Sequence, residues 1–305
     1  MFTFPFLFTI SGAIDLMKIC APQQYFLRAG EIHPGNSDIG RIDVGGFFHH
    51  GKWIVANNKE EKNIKLIIIY DGTGYFGWQR QPDQPTIQGT IEEKIETMVG
   101  KPVSLIASGR TDTGVHALHQ VANFRVFSTL TPSVFLKGLN SLLPDGIIIK
   151  EAEYVSFDFH ARYDAKSKVY EYRIYNEKLP SPFLRHYAWH ISRLLDLHAM
   201  KECLEVVKGI HDFSSFYSAG DGKINPVRNM IQAELHIQDS NLLSFHFEAN
   251  GFLRHMVRNI MGTIVQAGLG EINTARFIEI LASKDRQKAG VMAPPGGLYL
   301  KDVRY

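Results

Sequence analysis

Cysteine is nearly absent from this chain. Two residues in 305, Cys20 and Cys203, make neither a disulfide framework nor a four-ligand zinc site. A reducing, cytoplasmic setting is the expectation that follows. Long hydrophobic runs are also missing. The most apolar stretch near the start, residues 2–14, falls short of the roughly 20 residues that cross a bilayer, and it lacks the leading Lys or Arg of a secretory leader. No membrane association is expected. Nor does charge of one sign dominate: 33 Lys and Arg against 31 Asp and Glu leave a formal net charge of +2. That permits a nucleic-acid partner through a local basic groove without demanding one. A Ser-His-Asp order, a P-loop, a Cys with a His partner and a clear second acid for glycoside chemistry are all lacking.

The composition that remains, 45% hydrophobic and 21% charged, is that of an ordinary globular chain with room for two structural units. Residues 1–62 stand apart as an N-terminal extension of unknown role, or as residues added by an upstream start. From Asn63 the pattern becomes regular. Residues 64–70 form an Ile-rich run, long enough for a buried strand and too short for a helix. Ile87, Ile91, Ile95 and Met98 recur at helical spacing between Thr86, a suitable N-cap, and Gly100, a suitable stop. Runs 103–107 and 121–126 read as strands, Thr131-Pro132 opens a second helix through Leu143, and a strand starts at Ile147.

The order is therefore β-α-β-β-α-β, the split βαβ pattern. The second half repeats it. A strand over 169–175 precedes a helix over 197–208 that stops at Gly209. Strands over 227–237 and 242–248 are joined by a hairpin signal at Asp239-Ser-Asn241. A long helix over 252–267, another over 274–283 and a strand over 297–303 follow. No residue-level repeat accompanies this likeness of order. The expected fold is α+β: two split βαβ (ferredoxin-like) units, 63–165 and 166–305, with sheets joined side by side and a catalytic cleft between them.

One segment concentrates chemistry. Ala107-Ser-Gly-Arg-Thr-Asp-Thr-Gly-Val-His-Ala117 places Asp112 in a Gly-flanked loop between two strands. An acid on a tight loop at the end of a strand is held rigidly yet stays reachable, as a nucleophile or general base requires. Turn chemistry alone also favours Asp and Gly in such loops. Arg110 suits two tasks, holding that acid ionised or binding an anionic substrate.

Other motifs are weaker. Gly72-Thr-Gly-Tyr-Phe-Gly77 satisfies G-x-G-x-x-G, but a dinucleotide turn runs directly into a helix. Here Trp78-Gln-Arg-Gln-Pro82 intervenes, which disfavours a nucleotide-dependent oxidoreductase. His116 and His119 form H-x-x-H without a third ligand at recognisable spacing, and a strand would point them apart, so no metal is expected. A helix through 252–261 puts Arg254 and Arg258 on one face. They are then a solvated pair, or one meets a buried carboxylate and the other a phosphate. Residues 160–173 interleave Arg and Lys with Tyr, which suits base stacking beside phosphate contacts and equally suits an edge strand. Arg80, Lys223 and Arg228 in other loops would extend a basic groove.

Four segments now fall into one order: Tyr70-Asp-Gly-Thr-Gly-Tyr-Phe-Gly-Trp-Gln-Arg-Gln81, Gly109-Arg-Thr-Asp-Thr-Gly-Val-His-Ala117, Asp158-Phe-His-Ala-Arg162 and His255-Met-Val-Arg-Asn259. With them the chain from about Lys65 onward resembles the tRNA pseudouridine synthase A family. It departs in its long N-terminal extension and at Thr113, where Ala is common; a small residue is kept. The resemblance implies an isomerase that makes pseudouridine from uridine at positions 38, 39 and 40 in the anticodon stem-loop of tRNA. It implies no cofactor and a homodimer. It further implies Asp112 as nucleophile, Tyr170 as the tyrosine packed on the target base, and Arg258 as the partner of the aspartate. Arg110 joins these as a substrate contact, and Leu298, in Gly297-Leu-Tyr-Leu300, as an apolar wall. The competing expectation is a non-catalytic tRNA- or RNA-binding module using the same groove, against which an intact Asp112 argues.

Overall fold

The computed structural model describes residues 46–49, 52–55, 60–218, 224–239 and 241–305. Two compact units divide the chain after residue 57. In the first, strands β1 (Gly46–His49) and β2 (Lys52–Val55) pair antiparallel. The apolar stretch 2–14 and Lys223 lie outside the described residues. The second unit, 58–305, carries the chemistry.

β3 (Glu61–Tyr70) buries Ile64, Leu66, Ile68 and Tyr70 at the two-residue period of a strand. It starts before the apolar run because Glu61 and Lys62 already pair with Phe127 and Val126. α1 (Ile87–Val99) buries Ile87, Ile91 and Ile95, and both expected end signals operate: Thr86 accepts from the Gly89 amide and Gly100 closes the helix. β4 is only Ile106–Ala107, shorter than the expected 103–107. The Leu105 amide is taken by buried Glu92, whose Oε1 accepts it at 2.8 Å, so no strand neighbour receives it. β5 (His116–Phe127) instead begins earlier than expected, because His116 and Ala117 pair with the last strand of the chain. α2 (Pro132–Leu142) and β6 (Ile147–Val155) complete this half.

The second half contributes β7 (Ser167–Asn176), the short β8 (Trp189–Ile191), α3 (Leu197–Val207) and the short β9 (Gly209–Asp212). Neither short strand has a sequence pattern of its own. β10 (Val227–Asp239), β11 (Leu242–Ala249), α4 (Met256–Gly268), α5 (Thr274–Ser283) and β12 (Leu298–Arg304) follow.

A single sheet runs β6-β3-β5-β12-β7-β11-β10-β9, with β4 also on β5 and β8 also on β7. β3 and β7 thus occupy corresponding places, each between the last and the next-to-last strand of its half. β12 joins the halves. It pairs antiparallel with β7 and parallel with β5 through Tyr299–His116 and Leu300–Ala117. These pairings extend β5 back to the edge of the Asp112 loop. Among the described residues no helix is long and apolar enough to cross a membrane.

The helix expected over 252–267 begins only at Met256. His255 has φ 63°, a left-handed conformation that a helix interior does not adopt. Arg254 therefore lies in an exposed turn, and Arg258 lies buried inside α4. The two do not share a helix face. Gly262 lets residues 291–293 lie against α4, since a Cβ there would collide with the Val291 carbonyl.

Candidate active site

The loop that carries Asp112 is braced from three sides. Within it, the Asp112 carbonyl accepts from the Val115 amide at 3.1 Å, closing a tight turn. At its root, the buried Ser108 hydroxyl donates to Gln120 Oε1 at 2.7 Å, and Gln120 Nε2 donates to the Gly109 carbonyl at 2.9 Å. Along its length lies the loop that follows β3. The Trp78 amide donates to the Thr111 carbonyl at 3.0 Å, and the Tyr70 and Thr111 hydroxyls are 2.7 Å apart. Gly77 makes this approach possible. Its φ of +81° is in the left-handed region, and a Cβ there would lie 2.7 Å from the Thr111 carbonyl oxygen. Gly72 and Gly77 of Gly72-Thr-Gly-Tyr-Phe-Gly77 thus serve loop packing, and α1 starts only at Ile87.

His116 ties the same loops together from below. Its buried Nδ1 accepts from the Gly72 amide at 3.1 Å, so the ring proton sits on Nε2 and is donated to the His186 carbonyl at 2.9 Å. Burial pushes its pKa below the usual 6.5, partly offset by Asp71 beside it. His119 is half-buried, 3.9 Å from Asp302. Among the described residues no group of three His, Cys, Asp or Glu could hold a metal ion.

Onto this loop the second half delivers three side chains. Arg258 of α4 donates from Nη1 to Asp112 Oδ2 at 3.0 Å. Its Nε donates to the Ala293 carbonyl at 2.8 Å, and the Ala293 amide returns a bond to the Arg258 carbonyl at 3.1 Å. The arginine side chain is 9% exposed and the aspartate 30%, so the cation sits inside and the acid at the opening. His255 Nε2 stands 3.6 Å from the other carboxylate oxygen, Oδ1. Tyr170, buried on β7, meets Phe252 edge-on at 4.9 Å between ring centroids. Burial above all, then Tyr70 and the Asp112 charge, raise its pKa, so it is a neutral phenol.

Arg110 is exposed and engages no other described residue, and it makes no ion pair with Asp112. Leu298 is buried at the start of β12, opposite Tyr172. The wider basic groove is reduced. Arg80 is bound to Glu92 at 3.2 Å, and Arg228 donates to the Asn225 and Val227 carbonyls. Arg162 remains exposed beside Tyr163. Lys168 gains importance in exchange. Half-buried beside Gly109, it has its pKa lowered by burial and by the charges of Arg162 and Arg228.

Sequence reasoning missed His255 and Lys168, although both lie in segments it singled out. The misplaced start of α4 hid the first. The second reads in sequence as one cation among several.

The tRNA pseudouridine synthase family model matches residues 66–164 and 205–305 of this chain. Proteins named tRNA pseudouridine synthase A are similar over most of it. The one from Acetivibrio thermocellus is 46% identical over 244 residues, covering 80% of this chain and all of its own. That from Caldicellulosiruptor bescii is 48% identical over the same span, and that from a Geobacillus species 44% over 245 residues, with 98% of its own length covered. The chain belongs to the tRNA pseudouridine synthase family. It is an isomerase, as that membership entails.

Proposed function

We propose that this enzyme converts uridine to pseudouridine in tRNA, at positions 38, 39 and 40 of the anticodon stem-loop, with Asp112 as nucleophile. The observation that carries this reading is the Asp112–Arg258 pair, a half-exposed carboxylate fixed from within by a buried cation. The relatives' names support tRNA as substrate.

The isomerisation breaks the bond from uracil nitrogen to ribose, turns the base, and joins it again through carbon, which then loses its proton. It is redox-neutral and needs no cofactor. The target base must first leave its stack, at a cost of a few kcal/mol. Phosphate contacts from Arg110, Arg162 and Lys168 offset that cost, together with an aromatic platform from Tyr170 and Phe252. Leu298 supplies an apolar wall that keeps the detached uracil in place. The proton on carbon leaves to water; Tyr170, kept a neutral phenol chiefly by burial, packs against the base and does not take up that proton.

On this reading residues 63–165 contribute Asp112 and Arg110, and residues 166–305 contribute Tyr170, Arg258 and Leu298. Residues 1–62 are assigned no role. The working form is a cytoplasmic homodimer. The test is incubation with unmodified tRNA transcript, followed by chemical mapping of pseudouridine at each position. New signal at 38, 39 or 40 is expected. Tight, salt-dependent binding without product would favour an RNA-binding module instead.

A further inference from the structure

We propose that His255 is a positioning residue for Asp112: from the turn ahead of α4 its imidazole faces Oδ1 while Arg258 holds Oδ2, leaving the far edge of the carboxylate for the incoming nucleoside. The inference rests on the reading of Asp112 as nucleophile.

Nε2 of His255 is 3.6 Å from Oδ1, and Nη1 of Arg258 is 3.0 Å from Oδ2. A carboxylate gripped at one oxygen can still rotate about its last bond. One approached at both is confined to a single plane, and small misalignments of a reacting group are costly.

The backbone adds a second observation. Among the described residues only Asp83, His255 and Lys284 combine a side chain with positive φ. Asp83 and Lys284 are exposed, whereas the His255 side chain is only 17% exposed. Helix capping does not account for the conformation, because the His255 side chain makes no cap hydrogen bond. A strained residue of this kind at a reactive group is where function is to be sought.

The charges around the ring fix its form. Asp112 faces it from the β4–β5 loop, Arg258 from α4, Arg254 from its own turn and Arg286 from the segment after α5. Burial, the largest effect, and the three arginines lower its pKa from 6.5, and Asp112 alone opposes them. Near neutral pH the ring is therefore uncharged. A neutral N–H steers the carboxylate without adding a second cation. An imidazolium would bind Asp112 more tightly and blunt its attack.

The experiment is single-turnover pseudouridine formation on unmodified tRNA transcript across pH 5 to 8, comparing wild type with His255→Asn, His255→Gln and Asp112→Asn. Asn accepts the left-handed backbone but is too short to reach Oδ1. Gln offers an amide N–H at similar reach and does not titrate. His255→Asn is expected to lose roughly ten- to a hundredfold in rate, with tRNA affinity and melting temperature unchanged. His255→Gln should recover most of that loss, and the acid limb expected in the wild type from protonation of His255, at a pH below its ordinary 6.5, should be missing from its profile. A His255→Asn rate within about twofold of wild type overturns the proposal, as does an unchanged acid limb in His255→Gln. Asp112→Asn separates the two readings. Its full activity would overturn the nucleophile assignment and this proposal together. An inactive Asp112→Asn beside an unaffected His255→Asn would overturn only this one.

Discussion

Arg258 and Asp112 are 146 positions apart in the chain, yet Nη1 of the arginine lies 3.0 Å from Oδ2 of the aspartate. The guanidinium is anchored on its other side by the Ala293 carbonyl at 2.8 Å. The pair therefore joins the Asp112 loop, α4 and the segment that leads into β12.

If Asp112 is the nucleophile, Asp112→Asn keeps the shape of the loop and removes the reaction. Pseudouridine formation should fall by at least about three orders of magnitude, the scale on which deletion of a nucleophile acts. Binding of tRNA, followed by filter retention at fixed salt, should change little. Activity within about tenfold of wild type, a loss of only about 1.4 kcal/mol in the barrier, would sink the assignment.

Lysine at 258 keeps the charge but cannot reach both Asp112 and the Ala293 carbonyl, because it lacks the planar fork of arginine. Arg258→Lys should lower the single-turnover rate about a hundredfold, in the range seen when a preorganised donor is removed. Its melting temperature should drop by only a few degrees. A neutral result in the rate would refute a catalytic role for the pairing.

Gly77→Ala tests the contact between the two loops. Alanine costs roughly 1–2 kcal/mol in the left-handed region, and here its Cβ would also press on the Thr111 carbonyl one residue before Asp112. A stability loss of that order or more should appear in urea melts, together with a clear loss of activity at temperatures where the variant is folded. Full activity in the folded variant would show that the position of the Asp112 loop tolerates this displacement.

His116 makes stability depend on pH. The unfolded chain takes up a proton near pH 6.5, whereas the buried ring, which accepts from the Gly72 amide, does so only lower. Its contribution is therefore complete above pH 6.5 and declines as the pH falls below that value, by at most about 1.4 kcal/mol per pH unit. His116→Gln should be less stable at pH 7.5 and should lose less on acidification to pH 5. Parallel wild-type and variant curves would contradict this account.

Much of the fold was legible in the order of residues because its signals are local. Thr86 and Gly100 bound α1 as expected, Ile64 to Tyr70 reads as a buried strand, and Thr274–Ser283 is the helix its spacing describes. The chemistry-bearing motif around Asp112 was legible in the same way, as an acid in a Gly-flanked loop. What misled was any boundary decided by a distant partner. β4 is short because Glu92 takes the Leu105 amide, and β5 is long because β12 pairs with His116 and Ala117.

The nearest neighbours in sequence, then, were enough to specify the helices and the long strands, their order, the Gly-flanked loop that carries Asp112 and family membership. Which side chains stand around Asp112 was left to the assembled sheet. Arg110, two residues away, makes no ion pair with it, whereas Arg258 and His255 do meet it from the far half. The physical reason is range. Caps and periodicity act over a few residues, but the left-handed turn at His255 and the burial of Arg258 exist only once α4, the 291–293 segment and the Asp112 loop have packed together.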